Sequence, residues 1–274
     1  MVTTERTLLR RDEGGISILT INRPDRLNAL DHTTIDAMLV ALDEIAETPD
    51  LRVVVLTGSG DRAFSAGADI FGLANSVGKG PEATTREFCE RGQRLTARIE
   101  NYPKPIILAV NGLAYGAGCE ITEAAALAVA SDRALFAKPE IDLGFAPPFG
   151  GTQRLPRLAG RKRAMAMILT GEPITAQCAA DIGLVNRVVP QDQLLDEALA
   201  MARRIASKSQ IAVGAALTAV TRGLNVAISE GLAIEAMQFR IAAGSGAMTA
   251  AVNHFVERHS RVASRQAAGQ DEGR

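Results

Sequence analysis

Apolar positions along the first two thirds of the chain fall into short β-rich runs separated by stretches of helical spacing. Ile16 to Ile21 has strand character and is stopped by Asn22-Arg23-Pro24. Asp31 is placed to cap a helix in which Ile35, Met38, Leu39, Leu42 and Ile45 share one face, and Pro49 marks its end. Leu51 to Thr57, apolar over Val53-Val54-Val55-Leu56, predicts a strand buried on both faces. A Gly/Ser/Asp turn follows, then a short run from Phe64 to Ile70. Residues 72–85 carry Gly72, Gly78, Gly80 and Pro81 among polar neighbours and predict a mobile loop. Helical spacing resumes with Phe88, Leu95 and Ile99. Pro105 to Val110 reads as a third strand, leading into Asn111-Gly112 and Gly116-Ala117-Gly118. An apolar segment from Ile121 to Val129 precedes a fourth strand around Leu135 and Phe136.

From about residue 192 only helical periodicity remains. Leu194, Leu195, Ala198, Met201, Ala202 and Ile205 form one face, and Leu217–Leu224, Leu232–Phe239 and Met248–Phe255 predict three further helices. The polar stretch after Ala263 is expected to fray. Strand–helix alternation followed by helices alone predicts an α/β core with a helical appendage. The organisation expected is a core over residues 1–195, a C-terminal helical region over 196–263, and a flexible tail over 264–274.

Composition narrows the class of function. At 274 residues and 47% hydrophobic, the chain can fold around its own core without disulfide or metal staples. Thirty basic residues balance thirty-one acidic ones, and Trp is absent, which argues against a nucleic-acid partner. No apolar run approaches the length of a membrane span. The segment with Arg6, Arg10, Arg11, Asp12 and Glu13 lacks the apolar stretch of a signal peptide. Cys89, Cys119 and Cys178 are odd in number and far apart, so a reducing cytoplasmic location is expected.

Three tempting motifs fail. Gly116-Ala117-Gly118-Cys119-Glu120-Ile121 begins like a dinucleotide fingerprint but has Ile in the sixth position and a carboxylate where phosphate would sit. Ala63-Phe64-Ser65-Ala66-Gly67 lacks the first glycine of a nucleophile elbow. His32, His254 and His259 fall near helix ends or in the tail, and no Cys or His pair has metal-ligand spacing, so no metal is expected. Two carboxylates in apolar segments remain, Glu120 and Glu140. Two readings of them stay open: acids tuned for proton transfer by an apolar pocket, or residues that pair with an arginine or cap a helix. The small-residue turns Phe64-Ser65-Ala66-Gly67-Ala68-Asp69 and Tyr115-Gly116-Ala117-Gly118 let a backbone approach a ligand closely. They are either an oxyanion hole or ordinary turns.

From Ile16 to Arg261 the sequence resembles the enoyl-CoA hydratase/isomerase (crotonase) superfamily. The resemblance rests on Asn22-Arg23-Pro24 with Leu27-Asn28-Ala29-Leu30, Ala63-Phe64-Ser65-Ala66-Gly67-Ala68-Asp69-Ile70, Lys104-Pro105-Ile106-Ile107 and Gly118-Cys119-Glu120. It continues through Pro139-Glu140-Ile141, Gly150-Gly151-Thr152-Gln153-Arg154-Leu155 and Leu169-Thr170-Gly171. It implies a crotonase-like spiral of ββα units with a C-terminal helical trimerisation region, assembled as a homotrimer or homohexamer. It also implies an acyl-CoA thioester substrate and no separate cofactor. By position, Glu120 and Glu140 correspond to the catalytic glutamates of the hydratase branch, and Ala68 and Ala117 to the oxyanion-hole donors. Arg26, Ala66, Asp69, Ile70, Arg258 and Arg261 fall where family members meet CoA.

The chain also departs from the family pattern. Ala117 and Pro148 stand where many hydratases have Gly, and Pro147-Pro148-Phe149 stiffens one wall of the acyl pocket. Glu123, one helical turn after Glu120, stands where the resemblance implies an apolar residue; it is expected to pair with an arginine, the alternative being a polar group that faces an unusual substrate. Retention of both glutamates favours a 2-enoyl-CoA hydratase. A Δ3-Δ2 enoyl-CoA isomerase or another crotonase-type lyase is the alternative within the class, and a non-catalytic acyl-CoA-binding or assembly protein the alternative outside it.

Overall fold

The structure, a computed structural model, describes the backbone of residues 6–271 and the side chains of residues 6–258. It divides into two units, before and after the junction of Ser207 and Lys208. The first unit opens with β1 (Leu8–Glu13) antiparallel to β2 (Ile16–Ile21), joined by Gly14 and Gly15 at positive φ, the conformation a two-residue hairpin turn requires. Helix α1 (His32–Glu47) starts where the sequence predicts: the Asp31 side chain accepts from the Thr34 amide at 2.8 Å, and Ile35, Met38, Leu42 and Ile45 are buried.

Three pairs of strands then follow. Each gives one long strand to a first sheet and one short strand to a second. They are β3 (Val53–Gly58) with β4 (Ala63–Ser65), β5 (Ile106–Val110) with β6 (Leu113–Tyr115), and β7 (Leu127–Ser131) with β8 (Leu135–Ala137). Between β4 and β5 lie α2 (Ile70–Val77), α3 (Pro81–Thr84), a π-helical turn (Thr85–Glu90) and α4 (Arg91–Glu100); α5 (Ala117–Ala124) follows β6. After β8 come a 3-10 turn (Pro139–Leu143), α6 (Gly151–Ala159), α7 (Arg161–Thr170), β9 (Ile174–Thr175), α8 (Ala176–Asp181), β10 (Arg187–Val189) and α9 (Leu194–Ala206). The first sheet has the order β1-β2-β3-β5-β7-β10 and is parallel from β2 onward; the second is β4-β6-β8-β9. This is the spiral of ββα units that the resemblance implies.

Period-two alternation in the first sheet feeds two separate apolar layers. Val54 and Leu56 of β3 enter the main core, whereas Val53 and Val55 face α9 together with Ile16, Ile18, Ile107, Ala109 and Val129. From α9, Leu194, Ala198, Leu199, Met201 and Ala202 close that second layer. The core unit therefore ends after α9, and not at the 195/196 boundary expected from sequence. Periodicity locates the apolar face of α9 without telling which surface it covers.

The stretch 72–85 is helical, not a loop. Asp69 caps α2 by accepting from the Phe71 amide, and Pro81 occupies the first turn of α3 after Gly80 at φ +100°. The glycines and proline that suggested a loop punctuate two short helices.

Two asparagines tie the sheets together where the site begins. Asn28, buried and at φ +56°, donates from Nδ2 to the carbonyls of Ser59 and Ala63 and accepts the Arg23 amide on Oδ1. Asn111 accepts from the Gly58 amide and donates to the carbonyls of Gly58 and Gly60. Together they fix the turn through which β3 of the first sheet becomes β4 of the second.

The second unit contains α10 (Gln210–Gly223), α11 (Ile228–Ala243) and α12 (Gly246–Asp271). Gly223 and Gly231 let α10 and α11 approach closely: a Cβ on Gly231 would stand 3.5 Å from the Gly223 Cα. Helix α12 runs through Asp271, past the fraying point expected after Ala263. Among the described residues no helix is long and apolar enough to cross a membrane.

Replacing Asn28 with Ala would strand the Arg23 amide and remove a donor from two carbonyls. The expected cost is about 1–3 kcal/mol, measured as a lower urea midpoint with an unchanged m-value.

Candidate active site

The two small-residue turns of the second sheet lie against each other. A Cβ on Gly67, which sits at φ +104°, would stand 2.9 Å from the Tyr115 carbonyl oxygen and 3.4 Å from the Ala117 nitrogen. Gly67 satisfies both needs, the left-handed backbone and the close approach. The Leu30–Ala68 bridge uses the Leu30 amide on the Gly67 carbonyl and the Asp69 amide on the Leu30 carbonyl, leaving the Ala68 N–H outside the bridge. Ala117 is the first residue of α5, where an N–H has no acceptor within the helix. Arg23 braces the first turn by donating to the Ala29 carbonyl and to Asp69, with Asp31 also within ion-pair distance.

Ala68 and Ala117 line one cavity of about 280 Å³, together with Glu120 and Glu140. Glu120 is fully buried on α5, and its Oε1 accepts from the amides of Phe149 and Gly151, both at 2.8 Å. Glu140 comes from the 3-10 turn after β8; a Cβ on Gly116 would stand 3.2 Å from its Oε1. Among the described residues, neither oxygen of Glu140 nor Oε2 of Glu120 has a hydrogen-bond partner. Burial pushes the Glu140 carboxyl up to about 7; Lys138 works against the rise and Glu120 adds to it. One carboxylate is thus anchored by main chain while the other is poised to hold a proton near neutral pH, with two N–H groups beside them. The arrangement can activate water, protonate carbon and stabilise an oxyanion.

Behind Glu120 the structure corrects the expectation for Glu123. Its partner is Lys138, with Nζ 2.5 Å from Glu123 Oε1 and both side chains fully buried, and no arginine takes part. Burial raises the Glu123 carboxyl from its ordinary range. Burial also pulls the Lys138 ammonium down, but Cys119, Glu123, Glu120 and Glu140 together more than offset it and leave it above the usual lysine range. Gly151 makes room for this packing: a Cβ there would stand 2.6 Å from Lys138 Nζ and 2.9 Å from Glu120 Oε1. Sequence reasoning passed over Lys138, whose one signal is a lysine inside the apolar run ending at Pro139-Glu140. It also missed the Phe149 and Gly151 amides, which carry no side-chain signature.

Pro148 has no N–H, yet the wall it belongs to still supplies Glu120 with two donors, from the residue after it and from Gly151. The Pro148 carbonyl accepts from Gln93 Nε2. The Phe149 carbonyl accepts from Thr96 and Arg154, and its ring fills the space beside α4 that Gly92 leaves open, where a Cβ would fall 2.1 Å from the ring. Phe88 packs against both Phe145 and Phe149 at the apolar end of the cavity.

Of the residues matched to CoA contacts, Ala66 and Ile70 line the cavity. The Asp69 carboxylate is already engaged by Arg23 and the Phe71 amide, and its backbone by the Leu30 carbonyl and the Leu73 amide. The Arg26 guanidinium lies 5.6 Å above the Phe71 ring. Arg258 is exposed on α12 in the second unit, and the side chain of Arg261 lies outside the described residues.

The sequence profile of the enoyl-CoA hydratase/isomerase family matches residues 11–263, and the chain belongs to that family. It is 39% identical to a crotonyl-CoA hydratase of Syntrophomonas wolfei, over 93% of this chain and 96% of the other. It is 38% identical to a short-chain-enoyl-CoA hydratase of Clostridium acetobutylicum, over 90% and 93%. The crystal structure of an enoyl-CoA hydratase from Bacillus anthracis superposes with a TM-score of 0.87 at 33% identity, covering 92% of this chain and 96% of that one.

A carboxyl held at about 7 binds its proton more tightly folded than unfolded. Its contribution to stability is therefore complete below the ordinary value of 4.5 and is lost as pH rises through 7. Glu140→Gln removes that loss. The variant is expected to melt at a higher temperature than the wild type at pH 8, with the gap narrowing as pH falls and closing only below 4.5.

Proposed function

We propose that this enzyme adds water across the 2,3 double bond of a 2-enoyl-CoA to give the 3-hydroxyacyl-CoA. The observation that carries the reading is one cavity lined by two buried glutamates and two N–H-bearing alanine turns. The thioester oxygen accepts from the Ala68 and Ala117 amides. Glu120 takes a proton from water, whose oxygen bonds to the β-carbon. The double-bond electrons move onto the thioester oxygen as an enolate, which returns them to the α-carbon as Glu140 delivers its proton there. Water is consumed as H and OH. Carboxyls, water and main-chain amides carry every step, so the reaction so read calls on no metal or redox cofactor, and CoA is part of the substrate.

An isomerase that moves one proton between carbons has work for a single acid, whereas here two carboxyls with unpartnered oxygens share the cavity. The names of the relatives point the same way. Arg26, beside the exposed Phe71, and residues 66–70 form the CoA end of the reading, with the exposed Arg258 available to a neighbouring subunit's ligand. Exposed apolar side chains on the C-terminal helices, among them Leu224, Ile228, Leu232 and Phe239, support assembly into a trimer or a pair of trimers. Three free cysteines support a cytoplasmic setting.

Crotonyl-CoA should lose the absorbance of its conjugated thioester on addition of the enzyme. Glu120→Gln and Glu140→Gln are each expected to lower kcat by about 10²–10⁴-fold with the fold intact. Binding without turnover by the wild type would overturn the reading in favour of an acyl-CoA-binding protein. Gain of conjugation from a 3-enoyl-CoA, with no hydration of the 2-enoyl thioester, would overturn it in favour of an isomerase.

The acyl end has room beyond the catalytic cavity. Ile70, Phe88, Leu143, Phe145 and Pro148 also line a second, apolar cavity of about 630 Å³ beneath α2 and α3. Phe88 lines both, and on this reading longer acyl chains run past it. Phe88→Ala is expected to raise kcat/KM for a ten-carbon 2-enoyl-CoA relative to crotonyl-CoA by roughly tenfold, read from a chain-length series.

A further inference from the structure

Two side chains that the proposed chemistry does not use are buried beside it. Lys138 and Glu123 are fully enclosed and paired at 2.5 Å. An isolated ion pair in such a place costs more in lost hydration than its attraction returns, and apolar residues of similar volume do as well or better for stability. This is therefore a charge pair that packing does not require. Its neighbours are titratable on every side. Cys119, Glu120 and Glu123 come from α5, with the Cys119 Sγ 3.6 Å from Glu123 Oε1, and Glu140 comes from the turn that begins next to Lys138. The Lys138 ammonium and Glu120 Oε1 both lie within 3 Å of the point where a Cβ on Gly151 would stand. A single cation thus faces three carboxyl groups. With Lys138 charged, one ionised carboxylate is balanced and a second gives the cluster a net negative charge. Ionising the third adds repulsion in a dry environment, so a proton stays in the cluster.

We propose that Lys138, held in place by Glu123, is a positioning residue that sets how the proton is distributed between Glu120 and Glu140. The proposal rests on the hydratase reading for the roles of those two glutamates. Lys138 favours ionised neighbours, and Glu123 moderates it by cancelling part of its charge. Together they bias how readily the neighbouring Glu140 carboxyl gives up its proton. Burial supplies the upward push on the Glu140 carboxyl, and Lys138 is the group that restrains it.

The test uses Lys138→Gln, Glu123→Gln and the double variant in the full-length protein, with two readouts. One is the pH dependence of kcat/KM for crotonyl-CoA. The other is the carbon-13 titration of the Glu140 carboxyl in glutamate-labelled protein, assigned with Glu140→Gln, which needs no turnover. Loss of Lys138 is expected to move the Glu140 titration and the alkaline limb of the profile up by about one pH unit or more. Loss of Glu123 alone is expected to move them down, and the double variant should return to within about half a unit of wild type. Opposite displacements that cancel are what an electrostatic role requires and a purely structural one does not produce. Should Lys138→Gln fail to fold, the displacement between Glu123→Gln and the double variant decides. Titrations unmoved in every folded variant, displacements of the same sign, or failure of both Glu123→Gln and the double variant to fold would overturn the proposal. Wild-type protein that shows the predicted titrations without hydrating crotonyl-CoA would instead sink the hydratase reading and leave the charge pair standing.

Discussion

A carboxylate taken out of water must find replacements for the hydrogen bonds it has lost, and the way Glu120 finds them organises this molecule. Its Oε1 accepts from two amides of one short segment, those of Phe149 and Gly151. That contact needs α5 to present the side chain at a fixed depth, and it needs the segment before α6 to curl with its N–H groups inward. It also needs position 151 to carry no side chain. Two charge-assisted main-chain bonds spare the carboxylate the penalty of an unpaired buried ion. They leave Oε2 of the same carboxylate without a hydrogen-bond partner among the described residues. Anchoring on one oxygen and availability on the other is how a buried acid can be both rigid and reactive.

The oxyanion side has a matching support that begins far from the cavity. Asn28 and Asn111 fix the turn from β3 to β4, and Arg23 joins the Ala29 carbonyl to Asp69 on either side of the Leu30–Ala68 bridge. Asp69 in turn caps α2. The N–H groups are held by polar side chains tied to carbonyls, and such ties are directional where apolar packing alone is not.

Much of this can be read in the linear chain, for identifiable reasons. Period-two runs such as Ile16–Ile21 and the Asp31-capped helix are local signals, and they reappear within a residue or two. Glu120 and Glu140 stand out because each follows a glycine or proline turn in apolar surroundings. What escaped is non-local or ambiguous by nature. The pairing of Glu123 with Lys138 joins residues on different elements, so residue type alone offered an arginine as readily as a lysine. The glycines and the proline between residues 72 and 85 lie at helix ends or between helices, where loops use the same residues. The apolar stripe of α9 announces a buried face but does not name the surface that buries it. Main-chain donors such as the Phe149 amide leave no trace in composition, because every residue except proline has one.

Phe149 joins these themes. Its nitrogen holds the proposed base, its carbonyl is held by Thr96 and Arg154, and its ring occupies the gap left by Gly92 on α4. Wall and base are one mechanical part. The enzyme cannot retune this side of its chamber by a lone exchange: a smaller residue at 149 loosens the peptide that seats Glu120, and a larger one at 92 collides with the ring. The residues of α2 and α3 that line the second cavity carry no such double duty.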